Sequence, residues 1–276
     1  MRRILLLALV FSTLQATAYE NRLDFGLKTT AYNYVERLSD GTFFDSEKSN
    51  LFDINGLYLG YDKRIHAFDS ATQDVAYYFN IVGSYTAGDT EYDGGVGGPL
   101  HTTKNTFADI QVNLKRTQDF GSNTLYGSLG LGYKYWEREL EKYYTSSLSE
   151  KYSWYYLQAM IGAKTNIYNQ NTLGLELTYQ YALNPEIYID NNDDISKYSF
   201  NETLNLGTTY SLKAAVPMVL PITESLKFNS KVEYEYTKIN PSEKRNYVLA
   251  GKPVTDQEPE SKQNNWHLYI GLLYDF

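Results

Sequence analysis

The chain of 276 residues contains no cysteine and only three histidines, three methionines and seven prolines. Without cysteine it has no disulfide scaffold, no thiolate metal site, no cysteine nucleophile and no acylated cysteine at its amino terminus. With so few histidines we expect no metal site and no cofactor. The net charge of -8 at pH 7 argues against a nucleic-acid partner, because binding a polyanion requires a basic surface.

Long apolar runs are missing as well, except at the amino terminus. Arg2 and Arg3 precede an apolar stretch over residues 4–11, and Ala16 and Ala18 frame a small-residue cleavage site. This order of regions is typical of a secretory signal peptide. We predict that residues 1–18 are a cleaved signal peptide and that residues 19–276 form one exported domain. No later segment is long and apolar enough to be a membrane-spanning helix.

Tyrosine and glycine are abundant instead, with 28 and 19 copies. Aromatic residues favour strands and glycine favours turns, so the composition predicts an all-β protein. Read with a period of two, the chain resolves into amphipathic segments. The ten segments lie near residues 22–35, 51–64, 74–87, 106–117, 124–138, 152–167, 172–184, 202–216, 225–237 and 264–276.

The two faces of these segments differ sharply in charge. The uncharged faces comprise the odd residues of 23–35, 75–85, 125–135, 155–167 and 173–183 and the even residues of 108–114, 204–216, 226–236 and 266–276. A soluble β-sandwich also alternates, but its strands usually have about five or six residues. About ten residues tilted by about 40° rise about 25 Å, which matches the lipid-facing band of a transmembrane barrel.

The connections between segments are alternately long and short, as in barrels with long extracellular loops and short periplasmic turns. Both termini then lie on the short-turn side, which requires an even number of strands. We predict ten antiparallel strands, with twelve as the alternative if residues 247–250 or 187–189 supply an extra extracellular hairpin. Pro217 and Pro221 are predicted to sit in a turn, where a missing backbone donor does no harm.

The last eleven residues alternate in the same way and end in an aromatic side chain. Every second position is apolar or aromatic: Trp266, Leu268, Ile270, Leu272, Tyr274 and Phe276. This pattern resembles the closing strand of Gram-negative outer-membrane β-barrel proteins. The resemblance implies that the barrel assembly machinery reads these six residues as an assembly signal. It also implies a location in the bacterial outer membrane, surrounded by lipid and lipopolysaccharide.

Aromatic side chains gather toward the ends of the uncharged faces. Tyr85, Tyr155, Tyr181 and Trp266 are examples. They resemble the aromatic girdles that mark the two surfaces of the membrane in such barrels. A carbohydrate-stacking surface would instead place these rings along a groove or a loop.

The charged faces are the first candidate site, because in a barrel they line the lumen. The predicted lumen-lining residues are Lys28, Asp109, Lys134, Lys164, Glu176, Lys213, Lys231, Glu233, Glu235 and His267. Ten strands leave an interior close to the limit at which side chains fill a barrel, so we expect these charges to fill it as ion pairs. The alternative is that they line a passage for small polar solutes. If the last two strands pair so that Lys227 opposes Asp275, then Glu235 opposes His267.

We expect no enzymatic activity. The three histidines are far apart in the pattern, none is followed two residues later by serine, and the catalytic dyads of the ten-stranded omptin proteases have no match. The predicted function is a structural barrel or a narrow porin-like passage. The alternative is a surface binding barrel that acts through acidic extracellular loops, namely residues 89–93 and 190–194, which meet an unknown extracellular ligand. An outer-membrane hydrolase is the third possibility.

Overall fold

A computed structural model describes residues 21–69, 74–94, 100–140, 146–168, 171–193, 200–249 and 252–276. Within these residues no helix has the length and apolar character needed to cross a membrane. The strands are β1 (Asn21–Ala31), β2 (Asn33–Arg37), β3 (Phe43–Lys48), β4 (Ile54–Asp69), β5 (Asp74–Asp93), β6 (Leu100–Phe120), β7 (Asn123–Leu140), β8 (Ser146–Tyr168), β9 (Asn171–Asp193), β10 (Phe200–Asn205), β11 (Thr209–Pro221), β12 (Leu226–Ile239), β13 (Arg245–Leu249), β14 (Lys252–Asp256) and β15 (Glu260–Asp275).

Ten of these strands form a closed antiparallel barrel. The order around the wall is β1, β4, β5, β6, β7, β8, β9, β11, β12 and β15. β15 then pairs with β1 from Arg22↔Asp275 to Ala31↔Trp266. Closure leaves no unpaired strand edge in the hydrocarbon, where an unpaired backbone group has no water to bond. The predicted all-β fold and the predicted ten-stranded barrel are confirmed.

The uncharged face of each barrel strand points outward. Leu27, Leu129 and Ile161 remain 63%, 70% and 66% exposed on the outer wall, whereas the lumen-facing Gln158 and Gln180 are buried. Outward-facing aromatic side chains bound this apolar band. Tyr77, Tyr274 and Phe276 lie toward its periplasmic side, and Tyr85, Tyr155, Tyr181 and Trp266 lie toward its extracellular side. We call this zone the lipid band.

Inside the barrel, tyrosine rings pack over glycines on the neighbouring strand. A Cβ atom added to Gly132 would overlap the ring of Tyr156, and one added to Gly162 would overlap the ring of Tyr126. These glycines therefore make room for inward-pointing rings, an arrangement that fills a narrow barrel without large aliphatic side chains.

The barrel wall continues past the lipid band on the extracellular side. β2 extends the line of β1, β3 precedes β4, and the β2–β3 hairpin pairs with both β15 and β5. The hairpin considered for the twelve-stranded alternative does form, from β13 and β14. It is a separate two-stranded sheet in the described chain, so it adds no strand to the barrel. Ile187 and Ile189 belong to β9 and add none either.

The apolar pattern reverses above the lipid band. Ile187, Ile189, Leu204 and Leu206 point into the barrel and are buried. The prediction that the even residues of 204–216 face lipid is therefore wrong at Leu204 and Leu206. In β9 the reversal follows Asn184, which has a φ of 49° and lies opposite a shift in register. The physical reason is the solvent, since a wall surrounded by water must turn its apolar side chains inward.

Several predicted boundaries also differ from the structure. Residues 89–93 belong to β5 and residues 190–193 to β9, so these acidic runs lie in strand extensions, and Asp194 falls outside the described residues. Pro217 and Pro221 lie in β11 and not in a turn. β11 pairs with β9 at Ala215 and again at Met218, so the Pro217 nitrogen falls where that ladder is interrupted and no bond is lost.

Candidate functional site in the barrel lumen

The lumen at the level of the lipid band is not filled by side chains. It holds a cavity of about 340 Å³, and all ten predicted lumen-lining residues border it. They reach it from β1, β6, β7, β8, β9, β11, β12 and β15. A second cavity of about 210 Å³ lies at the periplasmic mouth, where Arg22, Lys115, Lys164 and Asp275 line it.

A salt bridge between residues that border the larger cavity crosses the lumen. Lys134 Nζ on β7 lies 2.6 Å from Glu235 Oε1 on β12, which stands on the opposite wall. Lys213 Nζ on β11 lies 3.5 Å from the same Glu235 oxygen. The other oxygen of Glu235 is 3.1 Å from His267 Nε2. We call Lys134, Lys213, Glu235 and His267 the lumen bridge.

The register behind this bridge differs from the prediction by two residues. His267 is paired in the ladder with Glu233, and Glu235 is paired with Asn265. The contact between Glu235 and His267 forms diagonally, since diagonal neighbours on one face of a sheet lie within reach of long side chains. His267 is fixed from its other side by a hydrogen bond of 2.9 Å between Nδ1 and Thr30 Oγ1.

The predicted ion pair near the carboxyl terminus also forms across a shifted register. Lys227 is paired with Leu273 in the ladder, yet its Nζ lies 2.6 Å from Asp275 Oδ2. The Nε of Arg22 lies 2.6 Å from the other oxygen of Asp275. Asp275 therefore forms ion pairs with both Lys227 and Arg22 at the periplasmic mouth.

Several other carboxylates of the lumen are bound by neutral donors of the wall. Asn229 donates to Asp24 at 2.8 Å, and Tyr156 donates to Asp109 at 2.8 Å. Tyr126 donates to Glu176 at 3.0 Å. These bonds keep the carboxylates folded against the wall and satisfy part of their hydrogen-bonding capacity.

The lysines of the lumen fall into two groups. Lys134, Lys213 and Lys231 lie within 4.0 Å of a carboxylate. Lys28, Lys115 and Lys164 have no such partner within the described ranges. Lys28 lies 5.4 Å from the ring centroid of Tyr269, and Lys115 lies 5.3 Å from that of Tyr126.

One group of lumen side chains has the types that bind metals. The carboxylates of Glu233 and Glu235 and the ring of His267 offer atoms within 4.8 Å of one another. The ammonium of Lys231 lies 3.0 Å from Glu233, and Lys134 and Lys213 approach Glu235. These ammonium groups already neutralise the carboxylates, so the arrangement opposes a further cation.

The extracellular end of the lumen is closed by packed side chains. Tyr32, Tyr34, Trp136 and Tyr152 are fully buried there. The rings of Trp136 and Tyr152 stack with centroids 4.2 Å apart, and Tyr34 meets Trp136 edge-on at 5.3 Å. These rings come from β7, β8 and the line of β1 and β2, so they connect opposite sides of the barrel mouth.

A buried arginine lies beside these rings. The Nε of Arg138 donates to Glu47 at 2.8 Å, and its Nη1 donates to Glu150 at 2.7 Å. Glu36 and Asp45 each lie 3.6 Å from the same guanidinium. Arg138 thus connects β7 to β8 and to both strands of the β2–β3 hairpin. Together with Glu258, the rings, the arginine and its acids form what we call the extracellular seal.

The seal holds more carboxylates than cations. Its acids surround one guanidinium and lie outside the lipid band. Burial, reinforced by the neighbouring Glu150, raises the pKa of Glu258 to about 8. Burial and the nearby Glu258 also raise the pKa of Glu36 well above its usual value. At neutral pH Glu258 therefore favours the protonated form. Tyr152 donates to Glu258 at 2.6 Å, and the Tyr34 hydroxyl bonds Glu36.

The sequence prediction missed the seal because residues 36–48 fall in a predicted loop. A signal was present in the alternation. Tyr32, Tyr34 and Glu36 continue the inward phase of β1, and Trp136 and Arg138 continue the inward phase of β7.

The histidines do not gather into a catalytic group. His66 lies in β4, His101 in β6 at the extracellular end, and His267 in the lumen bridge. The acids of the seal have an arginine among them and no histidine within the described residues.

No family model and no curated protein sequence matches the chain. Its structure is similar to that of the outer-membrane protease OmpT from Escherichia coli, with a TM-score of 0.53, 12% identity and coverage of 95% of this chain and 99% of that one. The chain has the fold of the Gram-negative outer-membrane β-barrel proteins. At this identity, the similarity of the barrel to OmpT concerns the fold alone.

Two other solved barrels are similar over most of their length. The outer-membrane protein OprG from Pseudomonas aeruginosa matches with a TM-score of 0.40, 12% identity and coverage of 94% of this barrel and 96% of that chain. The translocator domain of the autotransporter NalP from Neisseria meningitidis matches with a TM-score of 0.42, 10% identity and coverage of 100% and 95%.

Proposed function

We propose that the barrel provides a gated passage for small polar solutes across the outer membrane. The observation that carries the proposal is the charged cavity of about 340 Å³ at the level of the lipid band. A barrel that served only as a structural element has no need of such a space. The extracellular seal closes this passage in the conformation described, so conduction requires the seal to move.

The construction of the seal supports a moving gate. The β2–β3 hairpin pairs with β15 over residues 34–37 and with β5 over residues 46–48, so its attachment to the barrel is short. The ten-stranded wall closes through β1 and β15 below this hairpin. Arg138 supplies the main ionic link between the hairpin and β7. The hairpin can therefore swing away without opening the barrel.

The first test is single-channel recording in planar bilayers. We expect brief and infrequent openings of the wild type. Arg138→Gln should raise the open probability, because removing one partner of a buried ion pair costs about 3 to 5 kcal/mol. Arg37→Gln is the matched control, since Arg37 lies on the same hairpin but is exposed. If the wild type and the Arg138→Gln variant both fold into heat-modifiable barrels and both stay silent, the passage is refuted.

A surface binding barrel is the second candidate, and the β13–β14 hairpin favours it. This sheet has no ladder with another strand in the described part of the chain, and Arg245 at its start is joined to Glu202 of β10 by an ion pair of 2.7 Å. The hairpin therefore extends from the barrel, where it could meet an extracellular molecule. Replacing residues 245–256 by a short glycine-serine linker should abolish adhesion of expressing bacteria to host cells. The heat-modifiable migration of the barrel should persist. Retained adhesion would count against this candidate.

The remaining predictions belong to the same proposal. Residues 1–18 act as a signal peptide, the barrel assembly machinery inserts the chain, and lipid and lipopolysaccharide surround it in the outer membrane. We propose no enzymatic activity. Mass spectrometry of the protein purified from outer membranes should give a chain that begins at Tyr19, and an uncleaved amino terminus would contradict the assignment.

A further inference from the structure

We propose that the passage selects small anions, and that the lumen bridge is the site where the anion binds. The inference rests on the proposed passage and names its solute class. Three observations carry it: unpaired ammonium groups along the cavity, carboxylates held by the wall, and two lysines that converge on one carboxylate oxygen.

The unpaired ammonium groups are distributed along the length of the lumen. Lys164 and Lys115 line the periplasmic mouth, and both also border the larger cavity. Lys28 lies higher in that cavity. No carboxylate lies within 4.0 Å of any of these three lysines in the part of the chain that the structure describes. An anion that enters from the periplasm meets them in succession.

The carboxylates of the same cavity are less available to a passing cation. Asp24, Asp109 and Glu176 are held by Asn229, Tyr156 and Tyr126. A hydrogen bond from a neutral donor stabilises the ionised carboxylate in place and directs one oxygen to the wall. Acidic and basic side chains border the lumen in nearly equal numbers. The acids are nevertheless less accessible to a passing ion than the unpaired lysines.

The lumen bridge shows that the walls can bind an anion between them. Lys134 approaches from β7 and Lys213 from β11, and both reach the same oxygen of Glu235, at 2.6 Å and 3.5 Å. Glu235 thus acts as an internal carboxylate ligand. A small anion that displaces this side chain finds two ammonium groups in place. A cation at the same point meets both ammonium groups and no vacant carboxylate oxygen.

Reversal potentials under a KCl gradient test the inference in the Arg138→Gln background. The chloride-to-potassium permeability ratio should exceed one. Lys28→Gln with Lys164→Gln should lower the ratio about threefold, and Glu235→Gln should raise it by a similar factor, because each changes one or two charges beside the permeating ion. Lys262→Gln on β15, with the lysine outside the lumen, should leave it unchanged. A chloride-to-potassium permeability ratio below one overturns the inference, and so does a ratio that the replacement of Lys28 and Lys164 leaves unchanged.

A second measurement does not depend on conduction. Trp154 borders the cavity and lies near Lys134, with 6.0 Å from Nζ to the ring centroid. In the folded Trp266→Phe barrel in detergent, iodide should quench the remaining tryptophan emission more than caesium does, with each quenching constant divided by that of the same ion for free N-acetyltryptophanamide. The double lysine variant should reduce this difference. Silent bilayers with preserved iodide preference would refute the passage and support the anion site, whereas equal or greater quenching by caesium would refute the site.

Discussion

Single residues in this barrel are governed by which solvent they face. Leu177 on β9 is 50% exposed on the outer wall and pairs with Ile161 and Ala214, so it contacts hydrocarbon. Ser84 on β5 borders the lumen cavity and pairs with Asp109. The two positions belong to one wall, but a charge at the first has no partner and a charge at the second has a carboxylate beside it.

An arginine should therefore destabilise the barrel more at Leu177 than at Ser84. Leu177→Arg should lower the free energy of unfolding by about 2 to 4 kcal/mol, because a lipid-facing arginine near the middle of a bilayer is poorly solvated. Ser84→Arg should cost much less. Urea unfolding of both variants in lipid vesicles measures the difference. Similar losses for the two variants would show that the assignment of the faces is incorrect.

At the scale of the elements, the strands change their character where they leave the lipid. Within the lipid band each strand carries apolar side chains outside and charges inside. Beyond it, β9 and β10 bury Ile187 and Leu204, and the β2–β3 hairpin buries Glu36 and Glu47 around Arg138. The interior of the extension therefore resembles that of a water-soluble protein. Its buried carboxylates must either pair with the arginine or take up a proton.

The raised pKa of Glu258 in the seal gives a prediction about pH. The pKa of Glu258 is about 8 in the closed seal against an ordinary value of 4.5, so the closed state holds the proton more tightly. Its contribution to the stability of the seal is complete below pH 4.5 and is lost as the pH rises through 8. After burial, the charge of Glu150 raises the pKa of Glu258 further, whereas hydrogen bonds with Tyr152 and Glu36 and the charge of Arg138 lower it. Hydrogen exchange of the β2–β3 amides, after correction for the intrinsic rate, should therefore accelerate with pH.

Two variants isolate this effect. Glu258→Gln mimics the protonated side chain, so the corrected exchange rates should depend less steeply on pH between about 5 and 8. Glu243→Gln, at an exposed position of the same connection, should leave the pH dependence of the wild type intact. If both variants keep the full dependence, Glu258 does not carry the titration.

The whole molecule is a barrel with an apolar lipid band outside and charged residues inside. The part beyond the lipid band on the extracellular side is larger than the part on the periplasmic side. The turn between β11 and β12 lies on the same side as the start of β1 and the end of β15, since Asp275 N donates to Ser225 O and Phe276 pairs with Asn21. The β2–β3 and β13–β14 hairpins lie on the other side. Because the chain has no cysteine, a single introduced thiol reports its own side of the membrane.

Labelling of single cysteines tests which end of the barrel faces the outside of the cell. Lys244→Cys, next to the exposed start of β13, should react with a membrane-impermeant maleimide on intact bacteria. Glu224→Cys, exposed in the turn between β11 and β12, should react only after the outer membrane is permeabilised. The reverse pattern would mean that the barrel is inserted the other way round.

Much of the fold was predictable from the sequence because its causes are local. Alternation with a period of two, as in Leu173 to Leu183, indicates which side chains face lipid. The alternation of long and short connections requires an even number of strands, and the count of amphipathic segments favours ten. The same local pattern failed at Leu204 and Pro217. At these points the surrounding solvent or an interruption in a neighbouring ladder decides the outcome, and neither is visible within one segment.

From the sequence alone we could predict an all-β barrel of ten strands, with twelve left open, together with its uncharged outer wall and the charged residues inside it. Which charged side chains contact one another became clear only from the folded barrel. The contacts of Lys134 with Glu235, and of Arg138 with Glu47 and Glu150, join segments that are distant in the chain or on different strands. They depend on how far each ladder is staggered as the sheet closes. That stagger is a property of the closed cylinder, because every strand must satisfy two neighbours at once.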